Sequence, residues 1–143
     1  MNKIQIGKQE LIHFIGIGGI GMSGLAQIMK TMGFKVQGSD INENKNTDNC
    51  KKLGIKIFNG HSKKNILNAT IIVKSSAIKK NNTELSYSKK RKIPFYDRIE
   101  MLANIIDLKK NIIVTGSHGK TTTTSLVAKI ISTARLDPTI ING

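Results

Sequence analysis

Short apolar runs rich in isoleucine and valine return along this chain about every twenty residues, with helix-patterned stretches between them, a rhythm that marks βα units on a parallel sheet. The runs are Leu11 to Ile15, Phe34 to Gly38, Ile55 to Phe58, Thr70 to Lys74, Ile93 to Tyr96 and Asn111 to Thr115. They are nearly continuous in apolar residues, as strands covered on both faces should be. Between the first two, Ile20, Leu25, Ile28, Met29 and Met32 repeat at helical spacing and Gly33 stands where the helix should end. Further helices are expected at Thr47 to Leu53, Thr83 to Lys92, Arg98 to Ile106 and Lys120 to Ala134. The fold class is α/β, a Rossmann-like parallel sheet with flanking helices.

Asp107-Leu108-Lys109-Lys110 separates a complete run of βα units from a new one at Asn111. Residues 1–109 are therefore expected to form one domain, and residues 110–143 the truncated start of a second α/β domain: one strand, one helix and the start of another strand. So short a second unit cannot form a covered sheet, and the chain reads as a fragment of a longer protein.

Two glycine-rich loops each follow a strand and open a helix. Gly16-Ile17-Gly18-Gly19-Ile20-Gly21 fits G-x-G-x-x-G, in which glycines let backbone amides approach a pyrophosphate while the helix N-terminus adds partial positive charge. Asp40, at the end of the next strand, stands where a carboxylate accepts hydrogen bonds from ribose hydroxyls in a dinucleotide fold. The second loop, Val114-Thr115-Gly116-Ser117-His118-Gly119-Lys120-Thr121, lacks the first glycine of a full P-loop but keeps Gly116-x-x-Gly119-Lys120-Thr121. Its amides would cradle phosphate oxygens, the lysine would neutralise β and γ phosphates, and the threonine hydroxyl would ligate Mg²⁺. At a third strand end, Lys74-Ser75-Ser76-Ala77-Ile78 puts small hydroxyls at the edge where open α/β sheets bind ligands.

The net charge of +14 does not by itself indicate a nucleic-acid partner. Only Arg91, Arg98 and Arg135 of the 23 basic residues are arginine, and a chain rich in Lys, Ile and Asn is what A/T-rich codons specify. The one dense cluster, Lys89-Lys90-Arg91-Lys92, reads as the solvated end of a helix, and two tyrosines with no tryptophan offer little stacking surface. No stretch approaches the roughly 18 apolar residues of a membrane span, and Met1 to Lys8 holds no signal-peptide core, so a cytoplasmic protein is expected. Cys50, the single cysteine, suits a reducing compartment, makes no zinc site and reads as half-buried on a short helix. Of the histidines, His13 reads as packed in a strand, His61 as solvated after a turn, and His118 as either a substrate contact or a brace within its loop.

Taken together, the two loops about a hundred residues apart suggest two ligands rather than one. The string His13-Phe14-Ile15-Gly16-Ile17-Gly18-Gly19-Ile20-Gly21-Met22-Ser23-Gly24 resembles the Mur ligase family. Val73 to Ile78, Pro94, Glu100-Met101-Leu102 and Gly116 to Thr124 follow in the family's order, so the resemblance runs from about Leu11 to the last residue. It implies a UDP-sugar-binding first domain, an ATP-binding central domain and a C-terminal domain that completes the amino-acid site. Carried over, Gly16, Gly18, Gly19, Ile20, Gly21, Met22 and Ser23 would hold the UDP diphosphate, with Asp40, Ser75 and Ser76 near the uridine or sugar. Gly116, Ser117, His118, Gly119, Lys120, Thr121 and Thr122 would hold the ATP phosphates, Lys120 as the catalytic cation and Thr121 as a Mg²⁺ ligand. Ser117 stands where the family usually has threonine and keeps the hydroxyl.

The implied activity is ATP-dependent ligation of L-alanine to UDP-N-acetylmuramate, through an acyl phosphate, in peptidoglycan precursor synthesis and cell-wall biogenesis. A relative that recycles murein tripeptide onto the same sugar has a less similar glycine loop. Two readings from other classes compete. An NAD-dependent oxidoreductase would use the first loop and Asp40 but leave Gly116 to Thr121 without a purpose, and a non-catalytic UDP-sugar-binding module would use the first domain alone.

Overall fold

The computed structural model describes residues 6–141. Its chain divides into two units, the first ending at Leu108 and the second starting at Lys109. The first unit is a five-stranded, fully parallel sheet in the order β3-β2-β1-β4-β5, with β1 Leu11–Ile15, β2 Lys35–Asp40, β3 Lys56–Asn59, β4 Ile71–Lys74 and β5 Phe95–Asp97. Around it lie α1 Ile20–Thr31, α2 Lys45–Lys52, a 3₁₀ turn at Lys63–Ile66, α3 Thr83–Lys90 and α4 Arg98–Asp107. The first crossover starts at the middle strand and the second half of the unit starts beside it. The strand order therefore reverses at β1, and a crevice opens at the carboxyl ends of the strands.

Alternation along each strand gives the two faces different cores. Ile12, Phe14, Val36, Ile71 and Val73 point to one face and pack with Met22, Leu25, Ala26 and Met29 of α1, Cys50 of α2, and Met101 and Ile105 of α4. Ile15 and Ile72 point to the other and pack with Ile66, Ala69 and Leu85. On that second face β1 and β2 also carry polar residues. His13, Gln37 and Ser39 are all buried there, and a polar cover has to satisfy them.

Several expectations shift. β2 extends through Ser39 and Asp40, because both pair with β3 although neither looks like a strand residue. α2 starts two residues before Thr47, since Asn44 caps it by accepting from the amides of Asn46 and Thr47. The 3₁₀ turn has no counterpart in the apolar pattern. Cys50 is fully rather than half buried. The basic run Lys89 to Lys92 is exposed, as a solvated helix end should be.

The second unit contains α5, Lys120–Thr133. The strand expected at Asn111 to Thr115 is not formed. Ile112 and Ile113 are exposed and pair with no other strand, because a parallel strand needs a neighbour's N–H and C=O groups and the unit's described residues provide none. The further strand expected at the chain end runs into residues 142 and 143, outside the described residues, and Leu136 to Ile141 carry no strand. The opening residues 1–5, part of the stretch read as lacking a signal peptide, also lie outside the described residues. No helix among the described residues is long and apolar enough to cross a membrane.

Candidate functional site

At the carboxyl end of β1 the chain turns sharply into α1 and the glycine loop is pinned from below. The amides of Gly16 and Ile17 donate to Ser39 O at 2.8 and 3.1 Å, and Gly19 N donates to Gly16 O. Gly18 N donates to Asp40 Oδ2 at 2.7 Å, while Asn44 and Asn46 donate their side-chain amides to Gly18 O. A Cβ on Gly18 would lie 2.9 Å from that Asp40 oxygen, so only glycine permits the contact. Asp40 therefore holds the loop as well as standing at its expected strand end, and Asn42 N donates to its other oxygen.

These bonds decide which amides remain for an anion. Gly16, Ile17, Gly18 and Gly19 spend theirs inside the loop, and Ser23 N returns to Gly19 O. Ile20, Gly21 and Met22 occupy the first turn of α1, whose N–H groups have no intrahelical partner, and no side chain caps that end. Gly19, Ile20 and Gly21 are exposed. The Met22 side chain is buried in the core, and Ser23 is buried with its hydroxyl donated to Ile20 O, so neither side chain faces outward. Of the expected ring of contacts, the first helical turn presents backbone donors and Met22 and Ser23 are structural in their side chains.

Arg98, which was not singled out as a site residue, starts α4, and its Nη1 lies 3.0 Å from where a Cβ on Gly21 would sit. A guanidinium therefore rests beside the open end of α1. Ser75 adjoins Gly16 and accepts from Ala77 N through Oγ, whereas Ser76 is exposed beside it. Past the ends of β2, β3 and β4 lies a cleft of about 250 Å³ lined by Ile41, His61, Ala77, Ile78 and Asn82, among others.

His61 departs from its reading as a solvated residue: its side chain is only 16% exposed and pairs with Glu84. Glu84 is fully buried and accepts from Ser39 Oγ (2.6 Å), Asn65 Nδ2 (2.7 Å), His61 Nδ1 (3.1 Å), Ser62 N (3.3 Å) and His13 Nε2 (3.4 Å). Burial alone would raise its carboxyl. A hydrogen bond from His13, the electrostatic attraction of that ring, and hydrogen bonds from Ser39 and Asn65 outweigh that and hold it well below the usual carboxylate range. His13 is packed, as expected, but within this polar network. The signal available in sequence was the polar stripe His13, Gln37, Ser39 on two apolar strands, which demands a buried partner.

In the second unit Gly119 adopts a left-handed backbone (φ 74°) at the cap of α5, a conformation that favours glycine, and nothing lies within 4 Å of where its Cβ would be. Lys120 Nζ donates to Gly116 O at 2.7 Å, folding the lysine over its own loop. His118 Nδ1 and Ser117 Oγ are 3.2 Å apart, so that pair braces the loop locally. Thr121 and Thr122 lie exposed in the first turn of α5, beside the unsatisfied amides of that helix end. An open cradle with positive helix charge and one ammonium fits a polyphosphate. For a divalent cation the chain offers the Thr121 hydroxyl, and no group of three or more His, Cys, Asp or Glu among the described residues could hold a metal.

Comparison with known proteins gives a consistent result. The family model described as Mur ligase family, catalytic domain, matches residues 11–110. The chain is 66% identical over 141 residues to the UDP-N-acetylmuramate–L-alanine ligase of Pelagibacter ubique, covering 99% of this chain and 30% of that protein. It is 57% identical over 134 residues to the enzyme of the same name from Rickettsia bellii, covering 94% of this chain and 28% of that one. Among solved structures, the UDP-N-acetylmuramate-alanine ligase of Thermotoga maritima superposes with a TM-score of 0.75 at 37% identity, over 87% of this chain and 29% of that one. A murein peptide ligase from Psychrobacter arcticus gives 0.76 at 28% identity, over 88% of this chain and 27% of that one. The chain thus spans about 30% of the length of the curated relatives it matches.

Proposed function

Because this chain belongs to the Mur ligase family, we propose that it is the UDP-sugar-binding part, with the ATP phosphate loop, of an enzyme that joins L-alanine to UDP-N-acetylmuramate. The observation that carries the reading is the 66% identity, along 99% of the chain, to a ligase of that name. The division of labour is residues 1–109 for the UDP-sugar and residues 110–143 for the start of the ATP site.

In this reading the diphosphate sits at the open end of α1. The amides of Ile20, Gly21 and Met22 point at it, and the Arg98 guanidinium supplies a full positive charge that the backbone lacks. Gly16, Gly18 and Gly19 shape the approach, Ser23 ties down the first turn, and Asp40 sets the loop. Ser75 and Ser76, at the end of β4, are then placed for polar contacts to the nucleoside or sugar.

In the phosphate loop, Gly116, Ser117, His118 and Gly119 present the backbone, Thr122 adds a hydroxyl at the first turn, and Lys120 moves from the Gly116 carbonyl to the transferring phosphoryl group. A Mg²⁺ ion held by Thr121 and phosphate oxygens would offset charge on the β and γ phosphates. The muramate carboxylate attacks the γ-phosphorus and releases ADP. The amine of L-alanine then attacks the acyl carbon, phosphate leaves, and an amide remains. Lys120 stabilises charge that grows in the first step, so its effect falls on turnover.

The test is L-alanine-dependent phosphate release from ATP by the complete protein and its Lys120→Ala variant. A loss of about a hundredfold or more is expected when a charge-stabilising donor is removed. Unchanged release would remove the role given to Lys120. Release that depends on a different amino acid would overturn the substrate.

A further inference from the structure

The polar half of the second sheet face is closed by Glu84, and its hydrogen bonds fix where the protons sit. Gln37 Nε2 donates to Asn65 O at 2.8 Å, which orients that amide and sends its second hydrogen to His13 Nδ1 at 3.1 Å. His13 Nδ1 is therefore the acceptor, and its Nε2–H donates toward Ser39 Oγ and Glu84 Oε2. Ser39 has one hydroxyl proton and gives it to Glu84 Oε2 across 2.6 Å. His61 Nδ1 then faces two acceptors, that carboxylate oxygen at 3.1 Å and Ser39 Oγ at 3.0 Å, so Nδ1 carries a proton. In the neutral ring the lone pair is left on Nε2, at the ring edge turned away from Glu84. His61 also lines the cleft, together with Ile41, Ala77 and Ile78, whose apolar walls suit a flat ring.

We infer that Glu84 is a positioning residue of the nucleotide site: by holding His61 as the Nδ1–H tautomer it leaves Nε2 facing the cleft as an acceptor for an N–H or O–H of the ligand's nucleoside. The inference rests on the UDP-sugar reading above. It assigns a purpose to a buried carboxylate and two histidines that the diphosphate loop does not use. It also explains why a helix outside the glycine-loop face, α3, belongs to the site: Glu84 is in its first turn, and Asn82, its cap, lines the same cleft.

The test reverses the polarity at His61. In Glu84→Gln the side-chain oxygen can still accept from Ser62 N and Asn65 Nδ2, but an NH₂ now faces His61 Nδ1. The ring must then accept at Nδ1 and carry its proton on Nε2, which puts a donor where the ligand also has one. Imidazole ¹⁵N spectra of the chain at pH 9, without ligand, should show His61 as Nδ1–H in the parent and Nε2–H in the variant. Titration with UDP-N-acetylmuramate should show about tenfold weaker binding, the effect of one lost hydrogen bond. His61→Asn keeps a donor toward Glu84 and removes Nε2, so it should retain the melting temperature and lose the same tenfold. UDP analogues methylated at the base N–H or lacking a ribose hydroxyl identify the donor, as the one whose binding His61→Asn no longer weakens.

An Nε2–H tautomer in the parent chain would overturn the assignment, and so would full affinity in both variants or continued sensitivity of every analogue to His61→Asn. The spectra need no ligand. A chain that binds no UDP-sugar would therefore overturn the proposed function, while the Glu84–His61 tautomer would still stand or fall on the ¹⁵N shifts.

Discussion

Replacing Gly38 by alanine should destabilise the first unit and loosen its glycine loop together. Gly38 lies in β2 opposite Phe14 of β1, with extended backbone that alanine can adopt, so any effect is steric. A Cβ there would stand 2.6 Å from Ile17 Cδ1, 2.8 Å from Ile17 Cβ and 2.9 Å from the Phe14 carbonyl oxygen. The first contact could be relieved by turning a side chain. The other two involve atoms fixed by the backbone of the loop and of the central strand. Overpacking costs about 1–3 kcal/mol, and contacts to main-chain atoms put this case near about 3 kcal/mol. For a unit of about one hundred residues that lowers the melting temperature by about 10–20 °C, read by far-UV circular dichroism. Because Ile17 sits between Gly16 and Gly18, the same displacement should weaken UDP-sugar binding. Gly38→Ala introduced into an Ile17→Ala background should cost less than in the parent, because the clash with Ile17 Cδ1 is gone and the smaller side chain leaves the loop freer to shift, and a double-mutant cycle measures that coupling. A Gly38→Ala variant within about 0.5 kcal/mol of the parent would refute the close packing of loop on strand.

Two further outcomes follow from buried groups. Glu84 has a folded pKa lowered to about 2, so its contribution to stability is fully present above the usual carboxylate range and is lost as pH falls from there toward 2. That contribution is about 3 kcal/mol, and acid unfolding of Glu84→Gln should lack it; identical acid midpoints for parent and variant would remove Glu84 from the account. Burial pushes the Cys50 thiol up to about 11, so a thiol reagent at neutral pH should label the folded chain far more slowly than the urea-unfolded one, and equal rates would contradict the packing of α2.

Much of the sheet was legible because β1 and β4 are read from runs such as Leu11 to Ile15 that must be covered on both faces, and because Gly33 and Gly54 stop helices before the next strand. Polar strand ends were harder. Ser39 and Asp40 look like loop residues until β3 supplies the pairing partner. Asn111 to Thr115 looked like a strand for the opposite reason, since its composition favours one while no partner completes the ladder. At the site, the glycine loop was visible because its residues are adjacent in sequence. The Glu84 network was not, because it joins His13 of β1 to Glu84 of α3, 71 positions apart, and the two meet only in the folded chain. His61 looked solvated because a turn precedes it, and nothing local shows that a carboxylate on α3 draws it inward. Arg98 likewise reaches Gly21 only through the packing of α4 against α1.

The central claim is that the glycine loop between β1 and α1 serves a UDP-sugar. Calorimetric titration of the chain with UDP-N-acetylmuramate and, separately, with NAD tests it most directly. The account predicts saturable binding of the UDP-sugar, weakened by Arg98→Ala, with no binding of NAD. Tight NAD binding without UDP-sugar binding would contradict it.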